Sequence, residues 1–142
     1  MADHKDCVLS IVGSRGVPDY QSESIIKQAI LDHHPKVIVS GGAGGVDMAA
    51  ARIARQKGIA LIQFVPKKTT WDFIGDGDPV DIVTNGGMDV IINGGFKQRN
   101  EKIAETCDCL VRIASVTGKT YGSSWTADYA EKLGKNVSRF NV

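Results

Sequence analysis

Short, wholly apolar runs alternate along the chain with longer segments in which apolar residues recur every three or four positions. CVLSIV (Cys7 to Val12), KVIVS (Lys36 to Ser40), IALIQFV (Ile59 to Val65) and DCLVRIA (Asp108 to Ala114) have the continuous apolar character of strands buried on both faces. Between them, residues 21–33 place Ile25, Ile26, Ala29 and Ile30 at helical spacing, and Pro35 stops the run because the residue before proline avoids the helical region. Met48 to Gly58 reads as a second helix closed by glycine. FKQRNEKIAETC (Phe96 to Cys107) and SSWTADYAEKLGK (Ser123 to Lys135) predict two more helices, and NVSRF (Asn136 to Phe140) a last strand. Strict alternation predicts an α/β fold. Its expected form is a Rossmann-like three-layer open sheet, mostly parallel, of about five strands with helices on both faces.

The pattern loosens between Lys67 and Gly95, where only DVIIN (Asp89 to Asn93) has strand character, as a short strand or a hairpin arm. The 142 residues contain no linker and no repeat, so residues 1–142 are expected to form a single domain. A formal net charge of +1 leaves no basic footprint across the whole surface, although a local basic pocket remains compatible with it. No apolar run is long enough to span a bilayer, and MADHKDC (Met1 to Cys7) has no signal-peptide core behind it, so the expected location is cytoplasmic with no membrane partner. Cys7, Cys107 and Cys109 form no even framework. They are expected to be reduced structural residues, with Cys107 and Cys109 on one face of a strand and no resident metal.

In open parallel sheets the ligand crevice lies outside the carboxyl ends of the strands, so residues just after a strand or at a helix start carry the chemistry. Gly13-Ser14-Arg15 follows the first strand, Ser40-Gly41-Gly42-Ala43-Gly44-Gly45 with Asp47 follows the second, Arg99-Asn100 opens a helix, and residues 117–123 follow the fourth strand. Four segments thus converge on one rim with backbone donors, hydroxyls and the cations Arg15 and Arg99, with Lys97 and Lys119 as further candidates. The expected guest is anionic, because helix N-termini and glycine turns favour phosphate and arginine offers a planar two-pronged donor. Asp47 reads first as an acid of the first helical turn and second as a catalytic base. Asp72, Asp76, Asp78 and Asp81 could recruit magnesium together with a phosphate ligand, or form only a solvated acidic loop. Trp71 and Trp125 fit either base stacking or half-buried packing. TGKT (Thr117 to Thr120) is no Walker motif, since Ile113 stands where the earlier glycine belongs.

The ordered set VGSR (Val12 to Arg15), VSGGAGGVDMAA (Val39 to Ala50), FKQRNEKIA (Phe96 to Ala104) and YGSSWTADYAEKLGKNV (Tyr121 to Val137) resembles the SLOG superfamily of Rossmann-like nucleotide-ligand domains. Within it the sequence is most similar to the DNA-processing protein A (Smf) domain, which shows a G-S-R turn, an S-G-x-A-x-G-[IV]-D loop, an F-x-x-R-N helix start and a G-S-x-x-T-A-x-x-A helix. The resemblance implies that Ser14, Arg15, Ser40, Gly41, Gly42, Gly44, Gly45, Arg99, Asn100, Gly122 and Ser123 line a pocket. Gly13, Ala43, Asp47 and Thr126 lie within the same motifs and join them as candidates.

What the resemblance implies about activity divides three ways. The leading expectation is a binding domain for a nucleotide or nucleotide-derived phosphate, serving sensing, sequestration or processing, with no required cofactor. The second is single-stranded DNA binding, as in the DNA-processing members, from which this chain departs by its near-neutral charge and by Glu101 after Arg99-Asn100. The third is a nucleotide N-glycosidase of the lonely-guy type, for which Asp47 and Asp128 are the catalytic candidates. Relatives of this fold often pair, so a homo-oligomer is compatible with the resemblance.

Overall fold

In the computed structural model, residues 7–42, 44–84, 86–115 and 121–142 are described. The elements run β1 (Cys7–Gly13), α1 (Asp19–His33), β2 (Pro35–Ser40), α2 (Val46–Gln56), β3 (Ala60–Pro66), β4 (Pro79–Thr84), β5 (Met88–Ile92), α3 (Phe96–Thr106), β6 (Cys109–Ala114), α4 (Tyr121–Lys132) and β7 (Asn136–Asn141). All seven strands form one sheet in the order β4-β5-β3-β2-β1-β6-β7. Every pairing is parallel except β4 with β5.

Alternate residues of the buried strands serve two separate cores, which is why these runs read as continuously apolar. Leu9, Ile11, Ile38 and Leu61 face α1 and α2, where Ile26, Ala29, Ala49 and Ile53 cover them. Val12, Val39, Phe64 and Leu110 face the other way and meet Ile103 and Ala104 of α3 and Ala127 and Ala130 of α4. Helices therefore lie on both faces, as the alternation predicts. The chain adds strands to one side of β1 through β2 and β3 and to the other through β6 and β7, so β1 is the topological switch point and its C-terminal end is where a crevice opens.

Three expectations are corrected. The sheet has seven strands instead of about five, because residues 67–95 contribute a hairpin: DVIIN is largely β5, and PVDIVT is β4. All six β4 residues are exposed on this edge strand, so no buried-face alternation marks it in the sequence. The Asn85-Gly86 dipeptide was the available hairpin signal, and Gly86 has a φ of +63°. Cys107 and Cys109 do not share a face either, since Cys107 precedes β6 and packs in the α3/α4 core while Cys109 touches the α1/α2 core. All three cysteines are free thiols. Burial and the neighbouring Cys109 push the Cys7 thiol up to about 11. Finally, α1, α2 and α4 each begin two residues earlier than predicted, at Asp19, Val46 and Tyr121.

Among the described residues no helix is long and apolar enough to cross a membrane. Between α1 and α2, Arg52 bonds Asp19 through Nε at 3.0 Å and Glu23 through Nη2 at 2.7 Å, holding the two helices of one face together.

The end of β1 packs so tightly that position 13 tolerates only glycine. A Cβ there would lie 2.1 Å from the Ile113 carbonyl oxygen and 2.5 Å from Val46 Cγ2. Gly13→Ala should therefore lower stability by about 2–3 kcal/mol in urea unfolding. Gly16→Ala, where an added Cβ would meet nothing within 4 Å, should shift it by less than about 0.5 kcal/mol.

Candidate functional site

At the C-terminal end of β1 a cavity of about 370 Å³ opens between the Gly13-Ser14-Arg15-Gly16 turn, Gly41 and the first turns of α2, α3 and α4. It lies on the α3/α4 side of the switch point, and Arg99, Asn100, Ser123 and Thr126 reach it from those two helices.

Arg99 is its most constrained member. The guanidinium is carried in the first turn of α3 to a position only 8% exposed, so its N–H groups must find acceptors within the protein. Nη1 donates to the carbonyl of Gly41 at 2.8 Å and to that of Phe64 at 3.3 Å, while Nε donates to Asn100 Oδ1 at 2.8 Å. The Phe96 ring lies 5.4 Å from its central carbon. Burial pushes the Arg99 pKa below its ordinary value, Asp47 opposes that shift, and the like charge of Arg15 adds to it. The group nevertheless stays charged, as arginine does in proteins.

Arg15 is exposed, at the rim. The turn that carries it is pinned: Ser14 N–H donates to the Ile113 carbonyl at 3.1 Å, and Ser14 Oγ accepts from Ser115 N–H at 3.3 Å. On α4, Ser123 Oγ accepts from Arg112 Nε at 3.1 Å, and the Thr126 hydroxyl donates to the Gly122 carbonyl at 2.8 Å.

Of the residues expected at the site, Gly13, Ser14, Arg15, Gly41, Asp47, Arg99, Asn100, Gly122, Ser123 and Thr126 all border this cavity. The rest of the glycine loop does not. Gly45 has a φ of +66°, and a Cβ on it would lie 2.4 Å from the carbonyl oxygens of both Ser14 and Arg15, so its role is to let the loop pass under the arginine turn. Val46 N–H, at the start of α2, donates to the Ser14 carbonyl at 3.4 Å and is thereby used within the fold. Ser40 is fully buried with an unpartnered hydroxyl, Gly42 faces Gln63, and Gly44 borders open space. Lys97 is exposed on α3 and is not among the lining residues. Ala43 and residues 117–120 lie outside the described residues.

The two acid candidates differ in place. Asp47 is buried on the cavity wall, in the first turn of α2, where its charge favours that of Arg99. Asp128 is 70% exposed on the outer side of α4 and pairs with Arg139 at 3.0 Å. In the acidic loop, Asp76 Oδ1 accepts from Asp78 N–H and Asn93 Nδ2, at 2.9 and 3.1 Å. Among the described residues no group of three or more His, Cys, Asp or Glu side chains is arranged to hold a metal ion.

Motif reading missed the apolar wall. Val12, Phe96, Ile103 and Trp71 complete the lining, and Trp71 comes from the segment between β3 and β4. The aromatic character of Trp71 was the one signal for it in the sequence. The lining thus combines cations and hydroxyls with aromatic rings.

A family model for DNA recombination-mediator protein A matches residues 1–71, half of the chain. No curated protein matches it. Among solved structures, DNA processing protein A from Streptococcus pneumoniae superposes with a TM-score of 0.67 at 24% identity, covering 94% of this chain and 50% of that one. The molybdenum cofactor binding protein from Rippkaea orientalis gives 0.71 at 19% identity, covering 99% and 79%. The Moco carrier protein from Chlamydomonas reinhardtii gives 0.67 at 17%, covering 97% and 78%. These likenesses are of fold, and the chain spans half the length of the Streptococcus protein.

Replacing Arg99 with methionine removes donors from three oxygen acceptors and takes away a cation near Asp47. Arg99→Met should destabilise the fold by about 2–4 kcal/mol in chemical denaturation, mostly through the buried groups left unpaired.

Proposed function

This chain belongs to the DNA recombination-mediator protein A family, and on that premise we propose that its cavity binds a nucleotide or nucleotide-derived ligand by the ligand's phosphate. The observation that carries the reading is the pair of guanidinium groups, Arg99 buried and Arg15 exposed, facing one cavity in which Asp47 is the sole acid among the described lining residues. Two like charges held near one another, one of them buried and one at the exposed rim, gain from an anion between them. Arginine matches the planar geometry of phosphate oxygens, and the first turns of α3 and α4 add the positive ends of two helices. Ser14 and Asn100 supply further polar contacts, and the size of the cavity is that of a small-molecule site.

The arrangement supports binding more than bond cleavage. Asp128 stands away from the cavity, and Asp47 faces the Arg99 charge. A magnesium ion would enter with the phosphate of the ligand. The Rippkaea and Chlamydomonas proteins bind or carry the molybdenum cofactor, which places that cofactor among the ligands to try.

Single-stranded DNA is the second reading, favoured by the family match. Phosphates of a strand would use the same two arginines, and its affinity would fall steeply with salt.

Denaturing the freshly purified protein and identifying released molecules by mass spectrometry should give a phosphate-bearing, nucleotide-type compound. Recovery of none, together with no binding tighter than millimolar to nucleotides or the molybdenum cofactor in calorimetry, would refute the proposal. Arg15→Ala should weaken binding about tenfold or more while leaving the melting temperature within about 2 °C, since the side chain is exposed. For the second reading, Arg15→Glu should abolish salt-sensitive binding of an oligo(dT) strand; unchanged binding removes it.

A further inference from the structure

The geometry points to Trp71 as a stacking platform for a planar heteroaromatic base, which narrows the ligand class from any nucleotide-derived phosphate to a mononucleotide that keeps its base. This rests on the phosphate-binding reading above and adds to it the other end of the ligand.

Trp71 belongs to a segment without regular secondary structure, yet its backbone is fastened on both sides. Phe96 N–H donates to the Thr70 carbonyl at 2.8 Å, and Gly95 N–H donates to the Phe73 carbonyl at 3.1 Å. The N–H groups entering α3 are thus spent on the two residues that bracket Trp71 and Asp72. Further along, the Gln98 side-chain amide exchanges two hydrogen bonds with the backbone of Gly75, at 2.9 and 3.0 Å. The approach is so close that a Cβ on Gly95 would lie 2.2 Å from the Thr70 carbonyl oxygen. Glycine at position 95 lets this strap lie directly over the start of the helix that carries Arg99.

The indole is braced as well. It meets Trp125 of α4 edge to face, with centroids 5.4 Å apart and planes at 87°. Trp125 in turn stacks on Tyr129 at 5.1 Å and 15°, and the Tyr129 hydroxyl bonds Glu105 at 3.3 Å. This aromatic row spans from α4 to the strap and ends at the cavity, where Trp71 is half-buried and forms part of the wall.

Two aromatic rings border the cavity, and they are not equivalent. Phe96 already holds the Arg99 guanidinium near its ring. Trp71 is held from the strap and from α4 and lines the same cavity as Arg15 and Arg99, which would fix a phosphate there. A rigid indole offers stacking at little entropic cost to a base of any identity, since every base has a π-face. The volume of about 370 Å³ suits one such base with its sugar and phosphate, and it does not suit a duplex.

Calorimetric titration of AMP, GMP, CMP, UMP and ribose 5-phosphate into the wild type, Trp71→Leu and Trp71→Phe proteins tests the inference. The best nucleotide should bind the wild type at least tenfold more tightly than ribose 5-phosphate. Trp71→Leu should weaken that nucleotide about ten- to a hundredfold while leaving ribose 5-phosphate within twofold, and Trp71→Phe should retain most of the affinity. Equal losses for both kinds of probe, or ribose 5-phosphate binding the wild type as tightly as any nucleotide, overturns the stacking role and leaves the phosphate site standing. Failure of all five probes overturns the mononucleotide assignment and the stacking role with it. Should Trp71→Leu not fold, Trp125→Phe leaves Trp71 as the sole tryptophan of the chain, which has two. Its fluorescence should then be quenched by the best nucleotide and not by ribose 5-phosphate, and the absence of quenching at saturation overturns the role.

Discussion

A guanidinium that is 8% exposed has to bring its own solvation with it, and Arg99 does so by reaching across the ends of two strands. Its bonds to the carbonyls of Gly41, just beyond β2, and Phe64, in β3, tie the first turn of α3 to the sheet. Position 41 must be glycine for this to happen, because a Cβ there would lie 2.8 Å from Arg99 Nη1. Asp47 then answers the charge from the first turn of α2. One buried cation thus fixes the loop after β2 and two helix starts relative to one another, and the cavity is the space left beside that junction. A buried charge so arranged contributes little net stability, but removing either side would leave expensive orphans, so the geometry has few alternatives.

The glycine loop acquires a different meaning in this light. A glycine-rich joint between strand and helix suggests bare backbone cradling a phosphate, and of the glycines at 41, 42, 44 and 45 only Gly41 borders the cavity. Gly42 and Gly45 take positive φ values of +73° and +66°, and Gly45 lies under the Ser14 and Arg15 carbonyls. Gly45 thereby builds the floor on which the Gly13-Ser14-Arg15 turn rests, while Gly42 faces Gln63. That turn carries the exposed cation, and its neighbour Gly13 is held against β6 and α2 by equally close packing. The loop therefore shapes the cavity chiefly by positioning another segment.

Regular elements and polar site residues were legible because each leaves a local mark. Buried strands such as β1 and β6 read as unbroken apolar runs, and Ser14, Arg15, Arg99 and Asn100 stand in short motifs just after a strand or at a helix start. The strand β4 left no such mark. It is an edge strand whose residues are all exposed, and its identity comes from pairing with β5. Val12 and Ile103 read as core positions, and nothing local distinguishes an apolar residue that faces a cavity from one that faces another side chain. Cys107 and Cys109 show the complementary error, since a two-residue spacing implies a shared face only inside a strand, and β6 begins at Cys109.

By itself, the sequence determined the alternating α/β plan and the rim where the arginines gather, because both follow from hydrophobic period and from the order of elements along the chain; the switch point at β1 came from the order of strands in the sheet. The tertiary structure alone decided which glycines touch the cavity, that Asp128 stands apart with Arg139, and that Trp71 is carried over α3 to line the cavity. These depend on contacts between residues far apart in the chain, such as the Phe96 N–H on the Thr70 carbonyl and Trp125 against Trp71, and no local pattern encodes a contact whose two halves are written in different segments.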